Sequence, residues 1–337
     1  MKRRLRPLAR RAAAGFLSLA MLGGMAPAVA PQAQAADNWA QEYLDQLVEW
    51  SVMRGDIDGN LYADRNITRA EFVTMVDRAY GYDQVGGTPF TDVQDSSWYA
   101  DDISIAYNVG YFQGTSRTTA SPDDNLTREQ AVLLLGRNMM LQSSAGETLG
   151  FSDSRDFSEW SRTMVQAAAD AGVVGGYPDG TFRPQNHVTR GEVAKMLVQA
   201  VGTPISEPGE HELGSVYGNV TISSSGVTLR NTVIAGDLYL TGGIGLGDVL
   251  LENVTVLGKI MASGAGESNQ GESSIILRNV TADEMVVDSI SNQFVTVRSE
   301  GDTDIASTSI RTHAYVEDIT PENYGLKMIE INAENGS

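Results

Sequence analysis

Residues 176–197 read GYPDGTFRPQNHVTRGEVAKML. Gly176-Tyr177-Pro178-Asp179-Gly180 is turn chemistry, since proline presets one backbone angle and glycine accepts positive φ. Val188-Thr189-Arg190-Gly191-Glu192 then opens a helix. Thr189 is placed to cap it, and Glu192, three residues on, to close a capping box. Val193, Ala194, Met196, Leu197, Ala200 and Val201 follow on one face at helical spacing. Arg190 stands at the first helical position, where the macrodipole disfavours a cation. It reads either as a solvated side chain with a small local cost or as part of a site for a carboxylate or phosphate.

The same pattern recurs upstream. Ile67-Thr68-Arg69-Ala70-Glu71 and Leu126-Thr127-Arg128-Glu129-Gln130 repeat the helix opening. Trp39, Trp98 and Trp160 each precede their threonine by 29 positions, and Gly55, Gly114 and Gly176 each follow their tryptophan by 16. Three copies of one helix–turn–helix unit therefore run from about residue 37 to 202, each too short to bury its own faces. The first helix of a unit carries Tyr43, Leu44, Leu47 and Val48 in one copy and Met164, Val165, Ala168 and Ala171 in another. The recurring tryptophan reads most simply as core, with sugar stacking at a groove edge as its functional alternative.

These residues resemble the S-layer homology (SLH) domain family. The marks are Phe90-x-Asp92-Val93 followed by Trp98-Tyr99, Phe151-x-Asp153 ahead of Trp160, the GYPDGTFRP turn and the Thr-Arg-x-Glu helix start. The resemblance implies an all-α pseudo-threefold bundle. It also implies non-covalent binding of an acidic, often pyruvylated, cell-wall polysaccharide in grooves between units. It assigns that binding to the motif arginine, Arg69, Arg128 and Arg190; Asp92, Asp153, the three tryptophans and the three glycines Gly55, Gly114 and Gly176 are further candidate binding residues beside them. The glycines would let the ligand approach the backbone. Thr68, Glu71, Thr127, Gln130, Thr189 and Glu192 are the capping residues. The copies are unequal: Gln130 replaces a glutamate, Arg117-Thr118 replaces Asp-Gly, and the first unit lacks the Phe-x-Asp-Val opening.

Composition narrows the partners. A formal charge of -19 argues against nucleic acid, which wants a basic face. Residues 1–35 hold Lys2, Arg3, Arg4, Arg6, Arg10 and Arg11, then an apolar run ending at Ala33-Gln34-Ala35, and read as a secretory signal. No later stretch is apolar enough to span a membrane, and the chain has no cysteine for a disulfide or a lipid. Asn335-Gly336-Ser337 follows no apolar tail of a sorting signal. No cofactor motif is read. Asp56, Asp58, Asn60 and Asp64 resemble a calcium loop, but the glycine falls at the fourth place instead of the sixth, so no metal is expected.

The expected layout is a signal at 1–35, SLH units at 36–82, 88–144 and 149–202, a linker at 203–213 and a second domain at 214–335. That second domain is β-branched and punctuated by glycine. Alternating runs such as Val220-x-Ile222, Val227-x-Leu229, Leu238-x-Leu240, Val249-x-Leu251, Ile275-x-Leu277 and Val295-x-Val297 read as strands. Leu229-Arg230-Asn231, Leu251-Glu252-Asn253, Leu277-Arg278-Asn279 and Val297-Arg298-Ser299 recur at 22, 26 and 20 residues, the mark of an all-β parallel solenoid of about five coils. Asn231, Asn253 and Asn279 would form a ladder at one corner, and residues 262–274 a projecting loop. Arg230, Glu252, Arg278 and Arg298 would form a row. Arg278 above Arg298 would hold an anion unless nearby acids neutralise the pair.

The function expected is a secreted protein of the bacterial cell surface, cell wall or S-layer, anchored through the SLH units and displaying the solenoid, with no reaction. The alternative is a wall-tethered polysaccharide lyase or hydrolase. His187, His211 and His313 are scattered, however, and Asp237, Asp248 and Asp283 sit where turns form. Self-assembly through the solenoid ends is a third reading.

Overall fold

A computed structural model describes residues 39–142, 149–264, 274–289 and 294–332. The expected secretory signal, the start of the first unit, the tip of the expected projecting loop and the last five residues lie outside the described residues. Six α-helices come first: α1 (Gln41–Glu49), α2 (Arg69–Tyr80), α3 (Ala100–Val109), α4 (Arg128–Asn138), α5 (Arg162–Asp170) and α6 (Arg190–Val201). The close helix pairs join different units. α2 packs on α3, α4 on α5, and α6 returns to α1, which closes a ring.

At the centre of the ring three backbone amides chase three carbonyls. Ile67 donates to Val188 at 3.1 Å, Val188 to Leu126 at 3.0 Å and Leu126 to Ile67 at 3.1 Å. All three side chains are fully buried. A buried main-chain group needs a partner, and here each unit supplies the next one's. None of the described helices is long and apolar enough to cross a membrane.

The second part is a three-sided parallel solenoid of about five turns. One side is built from β2 (Gly209–Glu212), the first half of β5 (Val227–Ile234), the start of β7 (Val249–Ala262), β8 (Ile275–Arg278), β10 (Val295–Glu300) and β12 (Ala314–Asp318). The next side holds β3 (Ser215–Val216), the second half of β5, the middle of β7, the first parts of β9 (Thr281–Val287) and β11 (Asp304–Ile310), and β13 (Gly325–Leu326). The third runs from β1 (Thr203–Ile205) through β4 (Val220–Ile222), β6 (Leu238–Leu240) and the ends of β7, β9 and β11 to β14 (Ile329–Ile331). The apolar residue at every second strand position is inward and buried, as Val249, Leu251, Ile275, Leu277, Val295 and Val297 show. At the C-terminal end of the described residues, β14 pairs on β11 as one more rung.

The asparagine ladder is present. Asn253 donates to Asn231 at 3.3 Å and Asn279 to Asn253 at 2.9 Å, all three in the left-handed region. Two corrections follow from the pairing. Residues 203–213 are not a linker: β1 and β2 already pair with the solenoid, Thr203–Ile205 along Val220–Ile222 and Gly209–Glu212 along Val227–Arg230. The fourth rung is also displaced by two residues, so Glu300 and not Arg298 lies opposite Arg278. A slip of two keeps every side chain on its own face, so the apolar pattern cannot detect it. Gly301, with φ +63°, takes the corner after Asn279. The proposed double-arginine anion site is therefore absent. Arg278 is held by Glu252 at 3.0 Å and Glu300 at 2.6 Å, in a row where Arg230 meets Glu210 and Glu252 at 3.0 Å each.

Bundle and solenoid share a core. Tyr239, Met261 and Val286 are stacked on the outer side of the third solenoid face, and all three are buried in the helical cluster. Polar contacts seal the junction. Thr241 Oγ1 donates to the Tyr80 carbonyl at 2.8 Å, Thr221 Oγ1 to Val201 at 2.8 Å and Asn219 Nδ2 to Ala200 at 3.0 Å. Gly202, φ +67°, turns α6 into β1, and a Cβ there would lie 2.0 Å from the Asn219 carbonyl.

Asp77 in α2 is 1% exposed. It accepts from Tyr111 Oη at 2.7 Å, while its other oxygen has no hydrogen-bond partner among the described residues. Burial drives its pKa well above the ordinary carboxylate range, and Asp102 adds to the rise against the opposing pull of the Tyr111 hydroxyl and Arg78. A raised folded-state pKa means the folded protein holds this proton more tightly. Its contribution is thus complete below about pH 4 and is lost as pH climbs through the folded pKa. Denaturant midpoints measured across that range should fall with rising pH, and Asp77→Asn should remove this part of the slope.

Candidate functional site

Each unit's second helix begins with a complete capping box. Thr68, Thr127 and Thr189 accept from the amides of Glu71, Gln130 and Glu192, whose side chains accept in return from the threonine amides. Gln130 does this as well as the two glutamates, at 3.1 Å. The next two amides are taken by the neighbouring unit. Arg69 and Ala70 donate to Asp124 and Pro122, Arg128 and Glu129 to Asn186 and Pro184, and Arg190 and Gly191 to Arg65 and Ala63. The helix N-termini, expected to be open to an anion, are closed by protein carbonyls.

The three arginines are likewise buried, with 5% to 8% exposure. Each crosses to the turn of the next unit around the ring. Arg69 donates to Ala120 at 2.8 Å and Gln113 at 2.9 Å, Arg128 to Gly175 at 2.9 Å, and Arg190 to Leu61 at 2.8 Å and Arg54 at 3.4 Å. Arg69 lies over Phe112 at 4.9 Å, and Arg128 over Phe182 at 4.8 Å and Tyr177 at 5.0 Å. These are inter-unit struts, not solvated side chains. Arg128 differs in one respect: its buried Nε has no hydrogen-bond partner among the described residues.

The tryptophans move the other way. Trp39, Trp98 and Trp160 are 54%, 62% and 50% exposed, so they are not core. The residue after each one, Ala40, Tyr99 or Ser161, is buried in its place, which leaves the indole at the rim. Trp160 has a further anchor that the sequence did not reveal. Glu129, 1% exposed, accepts from Ser158 N at 3.0 Å, Ser161 Oγ at 2.7 Å and Gln185 Nε2 at 2.8 Å.

The glycines and aspartates serve the turns. A Cβ on Gly114 would lie 2.3 Å from the Thr119 carbonyl, one on Gly55 2.7 Å from Gly59, and one on Gly176 2.9 Å from Thr181. The close approach they permit is that of the protein's own turn. Asp92 accepts from the amides of Ala120 and Ser121 at 2.8 Å, and Asp153 from Phe182 at 2.9 Å and Arg183 at 2.7 Å. Asp56 is likewise consumed by its turn: Tyr62, Asn60 and Asp58 all donate to it, and the Tyr62 hydroxyl leads in holding its carboxyl down to about 2.

One groove gathers residues from all three units. It has a volume of about 630 Å³ and is lined by Trp39 and Asp64 of the first unit, Arg128 of the second, and the 173–178 turn with Glu192, Lys195 and Gln199 of the third. Glu192 accepts from the Tyr177 hydroxyl and lies 3.4 Å from Arg128 Nη1. Burial, then the bond to Glu192, pushes the Tyr177 pKa up to about 12, so the phenol keeps its proton. An exposed indole, a phenol, a guanidinium, an ammonium and an amide line this one trough together with the Asp64 and Glu192 carboxylates, an apolar ring face beside both donors and acceptors. Tyr177, Lys195 and Gln199 were not foreseen. The signal for Tyr177 was the turn itself, read for its proline and glycines, while Lys195 and Gln199 lie on α6, which was read for its apolar face.

Three helical units closed into a ring, continued by a parallel solenoid, make up the described chain. Residues 33–73, 89–132 and 150–194 match the S-layer homology domain, and the chain carries three copies of it. The chain is 34% identical over 166 residues to an amylopullulanase of Thermoanaerobacterium thermosulfurigenes, covering 48% of this chain and 9% of that protein. It is 28% identical over 222 residues to the surface-layer 125 kDa protein of Lysinibacillus sphaericus, covering 62% and 19%. It is 26% identical over 269 residues to the middle cell wall protein of Brevibacillus brevis, covering 71% and 24%. The chain thus spans less than a quarter of the length of these relatives. With three such domains and these relatives, it is a cell-surface protein.

Proposed function

We propose that the protein is held non-covalently on the cell wall by an acidic, pyruvylated polysaccharide seated in the groove of Trp39, Arg128 and Tyr177, and that it displays the solenoid for structural or adhesive use. The observation that carries this is Arg128, a buried guanidinium with an unpartnered Nε, lining a groove rimmed by an exposed indole. A carboxylate there gains a charge-assisted hydrogen bond, while the indole covers an apolar sugar face. The equivalent positions at Arg69 and Arg190 have the same helix openings with different turn residues, Thr115 and Asp56 standing where Tyr177 is. A polymer with many repeats offers the groove a high local concentration of epitopes, so a chain released from one is readily rebound by the next.

The chain should cosediment with purified walls and lose that binding when the non-peptidoglycan polymer is extracted. Undiminished binding to stripped walls would contradict the reading. The glycosidase name of one relative belongs to that protein; the proposal for this chain is binding and display.

A further inference from the structure

The third helical position after each cap holds Glu71, Gln130 or Glu192. All three close the capping box, with the threonine amide 3.1, 3.1 and 2.9 Å from the side-chain oxygen. Gln130 shows that the cap needs an acceptor and not a charge. What the carboxylate adds is seen at the arginines. Glu192 lies 3.4 Å from Arg128 and Glu71 3.8 Å from Arg190, whereas Arg69, opposite Gln130, forms no ion pair among the described residues. Glu192 spends one oxygen on the cap and turns the other, Oε1, to Tyr177 Oη and Arg128 Nη1 inside the groove. The contact to Arg128 is longer than a hydrogen bond, and both side chains are about nine-tenths buried.

We infer that Glu192 determines the groove's specificity: its carboxylate stands where a ligand's acid group would meet Arg128, and it weakens and moderates the hold on acidic glycans. This rests on the groove reading proposed above. Two carboxylates facing one guanidinium in a partly desolvated trough repel each other, so the ligand's acid must displace Glu192 toward Tyr177 or bind beside it at a cost. Removing the charge while keeping the oxygen that closes the cap removes that competition, and the amide NH2 then faces Tyr177 Oη, which can accept from it. A neutral glycan meets no such penalty, so the substitution changes discrimination and not general stickiness.

The test uses the full chain and Glu192→Gln, titrated with the acidic polymer extracted from the wall and with the same polymer after its carboxyls are reduced to alcohols. Thermal midpoints report on the cap, which Gln130 shows an amide can complete. The expected result is about tenfold tighter binding of the acidic polymer, with the reduced polymer bound as by wild type. Equal or weaker binding of the acidic polymer overturns the inference. So does a gain shared by both polymers. Trp39→Ala run alongside separates the two levels. If it weakens wild-type binding while Glu192→Gln changes nothing, the groove reading stands and the role of Glu192 falls. If it too is without effect, both fall.

Discussion

Met261→Asp should unfold the bundle and the solenoid together. Met261 projects outward from β7, yet it is 6% exposed, because it is buried with Tyr239 and Val286 in the helical core. An aspartate there forfeits the side chain's burial and leaves a carboxylate without water or partner. The expected loss is about 4 kcal/mol or more of unfolding free energy. Helical circular dichroism and a solenoid-sensitive probe such as amide exchange in β8 and β10 should both shift, and by the same denaturant increment. A loss below about 1 kcal/mol, or helices that melt at the wild-type midpoint, would show that the shared core carries little. The same contact implies that residues 39–202, cut away from the solenoid, expose an apolar face that the full chain covers.

Arg69→Ala should be nearly as costly. Arg69 is 5% exposed and supplies two bonds to carbonyls of the neighbouring unit, Ala120 and Gln113. Charge-assisted bonds of this kind contribute about 1.5–3 kcal/mol each, and their loss strands the carbonyls. A fall of about 3–5 kcal/mol is expected, with Arg69→Lys retaining part of it through the remaining charge. Urea midpoints decide it; a change under about 1 kcal/mol would mean that the struts are incidental. The consequence for function is direct. Alanine at all three motif arginines would abolish wall binding by opening the ring, whatever the grooves do.

Much of this architecture was legible in the chain. A tryptophan 29 residues before each Thr-Arg, and a triplet recurring near every 22 residues, come from physical repetition of one unit on the next, so they name the bundle and the solenoid. Two things were hidden. A two-residue slip at Glu300 leaves the inward pattern unchanged, so only coordinates could exclude the pairing of Arg298 with Arg278. The arginines looked solvent-facing because a single unit shows no partner; their carbonyls belong to the neighbouring unit. The junction, by contrast, left a trace. Leu238-Tyr239-Leu240, Ile260-Met261-Ala262 and Met285-Val286-Val287 are unbroken apolar runs where one-sided strands would alternate, the signature of a strand covered on both faces. At the site, spacing located the motifs, but the groove depends on Trp39, Arg128 and Tyr177 arriving from three different units.

The groove assignment rests most directly on two tryptophans. Trp39 and Trp98 occupy equivalent places in their units and are both more than half exposed, so neither truncation should disturb the fold. Trp39 lines the groove with Arg128 and Tyr177. The measurement is the affinity of the full chain for the acidic wall polymer, with Trp39→Ala and Trp98→Ala compared at equal thermal stability. A loss of about tenfold confined to Trp39→Ala is the expected result. Equal losses from both, or a loss from Trp98→Ala alone, would contradict the assignment of this groove.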